Sequence, residues 1–165
     1  MCELLAISSR VPTRLTISLE ALAARGGPHY STRDGWGAAF YQGRDATVFR
    51  EPAPASDSPL LRLLQTQGPT TQLAISHIRH ATHGAITLAN TQPFVRELGG
   101  RTHVFAHNGH LPGITQDARF ALGRFQPVGD TDSEHAFCVL MDRLAALRRQ
   151  PAERPRRSVS FRVMR

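Results

Sequence analysis

This 165-residue chain has no lysine, two cysteines, one tryptophan and no run of about 18 apolar residues. Each scarcity excludes something. Without a long apolar run there is no membrane-spanning helix to place. The first fifteen residues also lack the basic start and sustained apolar stretch of a signal peptide, so a soluble protein is expected. Cys2 and Cys138 are too few for a disulfide framework, and no CxxC or paired Cys/His ligand pattern occurs. The expected location is a reducing cytoplasm, with no metal and no cofactor. No internal repeat is evident.

All twenty basic residues are therefore arginine, and the net charge is +7. Its distribution is uneven. Arg148, Arg149, Arg154, Arg156, Arg157, Arg162 and Arg165 stand against Glu153, a net of +6, which leaves +1 for residues 1 to 147. The body carries no basic stripe interleaved with aromatics, so nucleic acid is not an expected partner; the tail alone supports only nonspecific phosphate contact. With 41% hydrophobic residues the chain can bury a core. One domain over 1–147 is expected, followed by an aperiodic, disordered tail over 148–165.

Punctuation and periodicity predict the elements. Residues 3–8 read as a strand, and Leu15, Leu19, Leu22 and Ala23 recur at helical spacing up to Gly26-Gly27. Strands at 36–41 and 46–50 form a hairpin around Gly43-Arg44-Asp45. Ser58 and Pro59 open a helix whose leucines at 60, 61, 63 and 64 are expected inside and which stops at Gly68. Strands follow at 72–80 and 101–107, with a second hairpin around Gly99-Gly100. Thr131 and Glu134 form a capping box for a helix with Ala136, Phe137, Leu140, Met141, Leu144 and Leu147 on its apolar face.

Chemistry gathers at strand ends. The clusters are His77-Ile78-Arg79-His80-Ala81-Thr82-His83-Gly84, His107-Asn108-Gly109-His110 and Gly129-Asp130-Thr131-Asp132-Ser133-Glu134. Cys2 stands behind the initiator methionine. By itself such a cysteine reads as a small buried hydrophobe before Leu4, Leu5, Ala6 and Ile7. If Met1 is removed, however, one residue carries both a thiol nucleophile and an α-amine with an ordinary pKa of about 8, able to serve as its base.

Cys2, His-x-Arg-x-Ala-Thr-x-Gly at 77–84, His107-Asn108-Gly109 and Thr131-Asp132-Ser133-Glu134, in that order, resemble the glutamine-hydrolysing domain of class II glutamine amidotransferases. Arg33-Asp34-Gly35-Trp36-Gly37 resembles the family's Asp-Gly-Trp-Gly segment. Asn90-Thr91-Gln92-Pro93-Phe94 and Gln126-Pro127-Val128-Gly129 resemble its stand-alone bacterial members, which are similar to γ-glutamyl hydrolases. The resemblance implies an α+β fold, the four-layer α/β/β/α sandwich of N-terminal-nucleophile hydrolases. It also implies hydrolysis of glutamine or a γ-glutamyl compound through a Cys2 thioester, and an ammonia-accepting synthase as a partner.

Residue by residue, the resemblance implies that Asn108 and Gly109 donate to the oxyanion, a role their amide groups suit chemically. Asn-Gly is equally a hairpin turn signal. Arg79 suits a substrate α-carboxylate, since its fork can bind both oxygens, although a strand-end surface arginine reads the same way. Asp132 suits the α-ammonium, while also complementing a helix N-terminus. Thr82 and His80 complete the substrate wall, His80 standing where many members have tryptophan. The spacing of His77, His80 and His83 suits a metal on a helix but not on the strand expected there, where positions three apart face opposite sides. These histidines are expected to be hydrogen-bonded strand-end residues.

The family's chain continues past the helix near Asp132, whereas the arginine-rich end here resembles no part of it. A truncated product is therefore the expectation, with exposed sheet edges, an uncovered apolar face and self-association. The competing functional readings are a catalytically inactive remnant acting as a binding protein and, less favoured, a nonspecific nucleic-acid binder.

Overall fold

The structure is a computed structural model that describes residues 2–27 and 29–149. Among the described residues, two sheets and three α-helices stack in the order helix, sheet, sheet, helix. The first sheet runs β1-β4-β2-β3, all antiparallel, from β1 (Glu3–Thr13), β4 (Thr71–Ile78), β2 (Trp36–Gln42) and β3 (Asp45–Glu51). Helices α1 (Thr16–Arg25) and α2 (Pro59–Gln67) cover one face of it. The second sheet pairs β5 (Phe94–Glu97) with β6 (Thr102–Phe105) and packs on α3 (Asp132–Arg149). The predicted α+β class and layer order are both present.

Alternation within the strands sets the layers. Trp36, Ala38 and Phe40 of β2 point with Leu5, Ile7, Ala74 and Ile78 into a core closed by Leu15, which precedes α1, by Leu19 and Leu22 of α1 and by Leu61 and Leu64 of α2. A second core joins Phe94 and Leu98 to Phe137, Cys138 and Met141 of α3. Each fully buried large side chain contributes roughly 1.5–3 kcal/mol. The opposite face of the first sheet is only partly covered: Leu4 and Leu73 are 44% and 43% exposed there. Among the described residues no helix is long and apolar enough to cross a membrane.

Several elements differ from expectation. β1 runs on to Thr13 because Ser9 Oγ bonds the Val11 and Gln72 carbonyls and Gln72 Nε2 donates to Arg10 O at 2.8 Å. As an edge strand it tolerates Pro12. β4 stops at Ile78, after which the Arg79 N–H donates to Gly35 O at 2.8 Å. In α2 only Leu61 and Leu64 are buried, and Leu63 is exposed. In α3 the buried arc is Glu134, Phe137, Cys138, Met141 and Ala145, whereas Leu140 and Leu147 face outward. The helix also extends two residues past Leu147, and Arg148 Nη1 donates to Leu98 O at 2.7 Å. The rest of the expected tail, 150–165, lies outside the described residues.

The Asp34-Gly35-Trp36-Gly37 segment is a structural joint. Gly35 has φ +136°, and the fully buried Trp36 donates from Nε1 to Glu51 Oε2 at 2.8 Å. A Cβ on Gly37 would strike the Gln92 carbonyl and Pro93, so this glycine lets segment 92–93 lie against β2.

Candidate active site

Cys2 immediately precedes β1, and the pairing of Glu3 with Ile78 brings it beside the residues that follow β4. Its Sγ accepts from the His80 backbone N–H at 3.3 Å and donates to His80 O at 3.5 Å. From the end of β6, Asn108 reaches back and donates from Nδ2 to Cys2 O at 2.8 Å. Residues 106 positions apart in sequence thus meet at the nucleophile.

Six of the seven predicted residues wall one cavity of about 50 Å³: Cys2, Arg79, His80, Thr82, Gly109 and Asp132. Asn108 stands outside that wall, its amide held on the Cys2 carbonyl. A larger cavity of about 330 Å³ shares His83, His110 and Asp132 with it.

Asp132 opens α3 and points back to the loop after β6. Burial alone would raise its pKa. The Leu111 N–H at 2.7 Å, Ser133 and His110 Nδ1 at 3.1 Å outweigh burial and hold the carboxyl below its ordinary value. It is an anion at neutral pH.

Arg79 is 4% exposed and its guanidinium is already engaged. Nη1 donates to Ala85 O at 2.9 Å, and Nη2 to His83 O at 2.9 Å and Gly84 O at 3.1 Å. It therefore shapes the 83–85 loop while it walls the cavity. His80 Nδ1 lies 2.8 Å from Ser31 O and 3.7 Å from Asp34 Oδ2, and Asp34 Oδ2 accepts from the Ala81 N–H at 2.7 Å.

The histidines follow a different pattern from the one expected. His77 is fully buried, with neither ring nitrogen in hydrogen-bonding geometry to any of the described residues. Burial, reinforced by the charge of Arg79, lowers its pKa to about 4, and the nearby His107 backbone offsets this only in part. The expectation of a hydrogen-bonded strand-end residue fails for His77 because its side chain lies on the inner face of the sheet. His83 instead lies against His110, ring centroids 5.0 Å apart. His107 Nδ1 lies 3.1 Å from Ser133 Oγ.

Asn90, Gln92 and Ser133 also wall the cavity, a part in the site that their residue types and spacing do not announce. Asn90 joins two loops, donating from Nδ2 to Ala85 O at 3.0 Å and accepting the Asp130 N–H at 2.9 Å. The signal was the Asn90-to-Phe94 motif itself, which has no periodicity to interpret. In the expected capping box only the Thr131 half forms, with Oγ1 accepting the Glu134 N–H at 3.2 Å. The Glu134 carboxylate turns instead to Arg96 at 2.6 Å and to the Val128 and Gly129 N–H groups.

A helix–sheet–sheet–helix stack with a thiol at the head of an edge strand defines a fold of the N-terminal-nucleophile type. A family model for class-II glutamine amidotransferases matches residues 1–164, and the chain belongs to that family. The chain is 44% identical over 144 residues to "Putative glutamine amidotransferase YafJ" of Escherichia coli K12, covering 87% of this chain and 55% of that protein. It is 38% identical over 154 residues to a "Putative glutamine amidotransferase" of Haemophilus influenzae, covering 93% and 51%. The chain thus spans about half the length of these curated relatives.

Among solved structures, a "predicted glutamine amidotransferase" from Pseudomonas aeruginosa PA01 superposes with a TM-score of 0.60 at 38% identity, over 91% of this chain and 58% of that one. Glutamine phosphoribosylpyrophosphate amidotransferase from B. subtilis superposes with a TM-score of 0.62 at 19% identity, over 87% and 29%, a likeness of fold.

Proposed function

We propose that this chain is the nucleophile-bearing part of an enzyme that hydrolyses the γ-amide of glutamine or of a γ-glutamyl compound through a Cys2 thioester. The observation that carries the reading is the meeting of Cys2 with the Asn108 amide at 2.8 Å, beside a cavity walled by Arg79 and Asp132. With Met1 removed, the Cys2 α-amine takes the thiol proton and the sulfur attacks the amide carbon. The oxyanion that forms accepts from Asn108 Nδ2 and the Gly109 N–H. The ammonium then returns its proton to the leaving nitrogen, the C–N bond breaks, and water cleaves the thioester to glutamate. The His80 N–H directed at Sγ helps hold the sulfur beside the cavity.

Asp132 suits the substrate's α-ammonium, and Arg79 the α-carboxylate through the N–H groups its loop contacts leave free. Thr82 and His80 add polar wall. The nitrogen released is either ammonia, available to a synthase partner, or an amine from a γ-glutamyl compound. A reducing cytoplasm suits a free thiol nucleophile. The domain is proposed as residues 1–147 with the α3 extension to Arg149.

A second reading, a chain that binds without turnover, draws support from the small cavity and the exposed Leu4 and Leu73. Intact mass measurement combined with labelling by a glutamine diazoketone tests the first. Met1 should be absent and Cys2 alone alkylated. Retention of Met1, or labelling of the fully buried Cys138 instead, refutes it.

A further inference from the structure

Gln92 is 6% exposed in the wall of the Cys2 cavity, and the chemistry above gives it no task. Its carboxamide is committed to a single residue. Oε1 accepts the His107 N–H at 2.6 Å and Nε2 donates to His107 O at 3.2 Å, the two-point pairing that a neighbouring strand would make. β6 has already ended at Phe105, so past the strand this side chain replaces the ladder. The two residues after His107 are Asn108 and Gly109.

Gln92 is itself anchored. Its carbonyl lies against Gly37 of β2, and Pro93 and Thr91 on either side are fully buried. Thr91 Oγ1 donates to Thr87 O at 2.8 Å, and Thr91 O accepts from Arg50 at 3.0 Å. On the far side the His107 ring meets Ser133 of α3. The His107 peptide is thereby referenced to the first sheet and its ring to the last helix.

We propose that Gln92 is a positioning residue for the oxyanion donors, its carboxamide fixing the His107 peptide and hence the direction of the Asn108 amide and the Gly109 N–H. This rests on the reading of Cys2 as nucleophile. Geometry of this kind matters steeply, since a displacement of about 1 Å at a reacting centre costs on the order of 100-fold in rate.

Two variants separate the clamp from mere packing. Gln92→Leu keeps bulk and loses both bonds. Gln92→Glu keeps an acceptor for the His107 N–H but sets an oxygen against its carbonyl until the carboxyl is protonated, when it donates again.

With the diazoketone 6-diazo-5-oxonorleucine as probe, the maximal alkylation rate of Cys2 should fall about 10- to 100-fold in Gln92→Leu while the half-saturating concentration changes by less than about twofold. The deficit of Gln92→Glu, taken against wild type at each pH, should shrink as pH falls; a purely structural lesion would not recover in this way. Amide hydrogen exchange of His107 should accelerate in Gln92→Leu.

Unchanged alkylation in a variant that still melts cooperatively, or unchanged His107 exchange, overturns the proposal. If wild-type Cys2 does not react, the nucleophile reading falls and takes the catalytic part of this proposal with it. The exchange measurement then decides the clamp alone.

Discussion

Replacing His77 with leucine should make the protein less sensitive to acid. His77 lies in β4 opposite Leu4 of β1 and Gly37 of β2, buried and, among the described residues, without a hydrogen-bond partner, with Arg79 and His107 the ionisable groups nearest in effect. Its pKa falls from 6.5 to about 4 because burial, and then the Arg79 charge, disfavour the imidazolium. Between those values the unfolded chain binds a proton that the folded chain does not. The stability held by neutral His77 is therefore complete above pH 6.5 and is lost as pH falls towards 4. Linkage puts the loss at about 2 kcal/mol by pH 5 and about 3 kcal/mol by pH 4.

At pH 7.5 leucine removes two unpaired ring nitrogens and should change stability by no more than about 1 kcal/mol. The variant should then gain about 2 kcal/mol on wild type between pH 7.5 and pH 5. Urea unfolding followed by the fluorescence of Trp36, the single tryptophan and fully buried in β2, reads this directly. Carboxylates that titrate in the same window cancel in the difference. A gap that stays constant from pH 7.5 to pH 5 would refute the argument.

Three other expectations follow from the same contacts. Asn108→Ala should lower kcat about 100- to 1,000-fold with a smaller effect on KM, whereas Asp132→Ala should chiefly raise KM. Arg79→Ala should raise KM and also lower the melting temperature, because its guanidinium holds three loop carbonyls; steady-state glutaminase kinetics and calorimetry check these effects, and intact turnover in Asn108→Ala would leave that residue a simple turn. Glu134→Ala leaves the half-buried Arg96 without its counter-charge and two backbone N–H groups without their acceptor, and should cost about 3–5 kcal/mol by urea unfolding, a value near zero excluding the buried pair as a clasp. A chain extended by the C-terminal half of its relatives should cover Leu4 and Leu73, remain monomeric by light scattering and hydrolyse glutamine faster; equal turnover by a monomeric 165-residue form would contradict this.

Much of the local structure was legible in the residues. Ser58 does cap α2, its side chain accepting the Leu61 N–H at 2.9 Å, and Gly68 follows the last turn. Gly99 and Gly100, both at positive φ, turn β5 into β6. These signals act over a few residues, where backbone sterics decide. Which way a helix face turns is a different matter. At about 100° per residue, four leucines in α2 cover more arc than one sheet can bury, so Leu63 is left outside; in α3 the same arithmetic sends Leu140 and Leu147 outward.

The sequence carried the order of motifs and a cysteine at position 2, and the family resemblance of those motifs implied the layer order and picked out six of the residues that wall the cavity. Only the tertiary structure decided how the polar groups divide their bonds. A guanidinium, a carboxamide or an imidazole has several donors or acceptors and no preferred sequence neighbour. Long-range approach therefore settled that Glu134 leaves its cap for Arg96, that Gln92 pairs with His107, and that His77 finds no hydrogen-bond partner among the described residues. Apolar periodicity is written locally because burial needs only a face, whereas a hydrogen bond needs a particular partner at a particular angle, and that partner arrives with the fold.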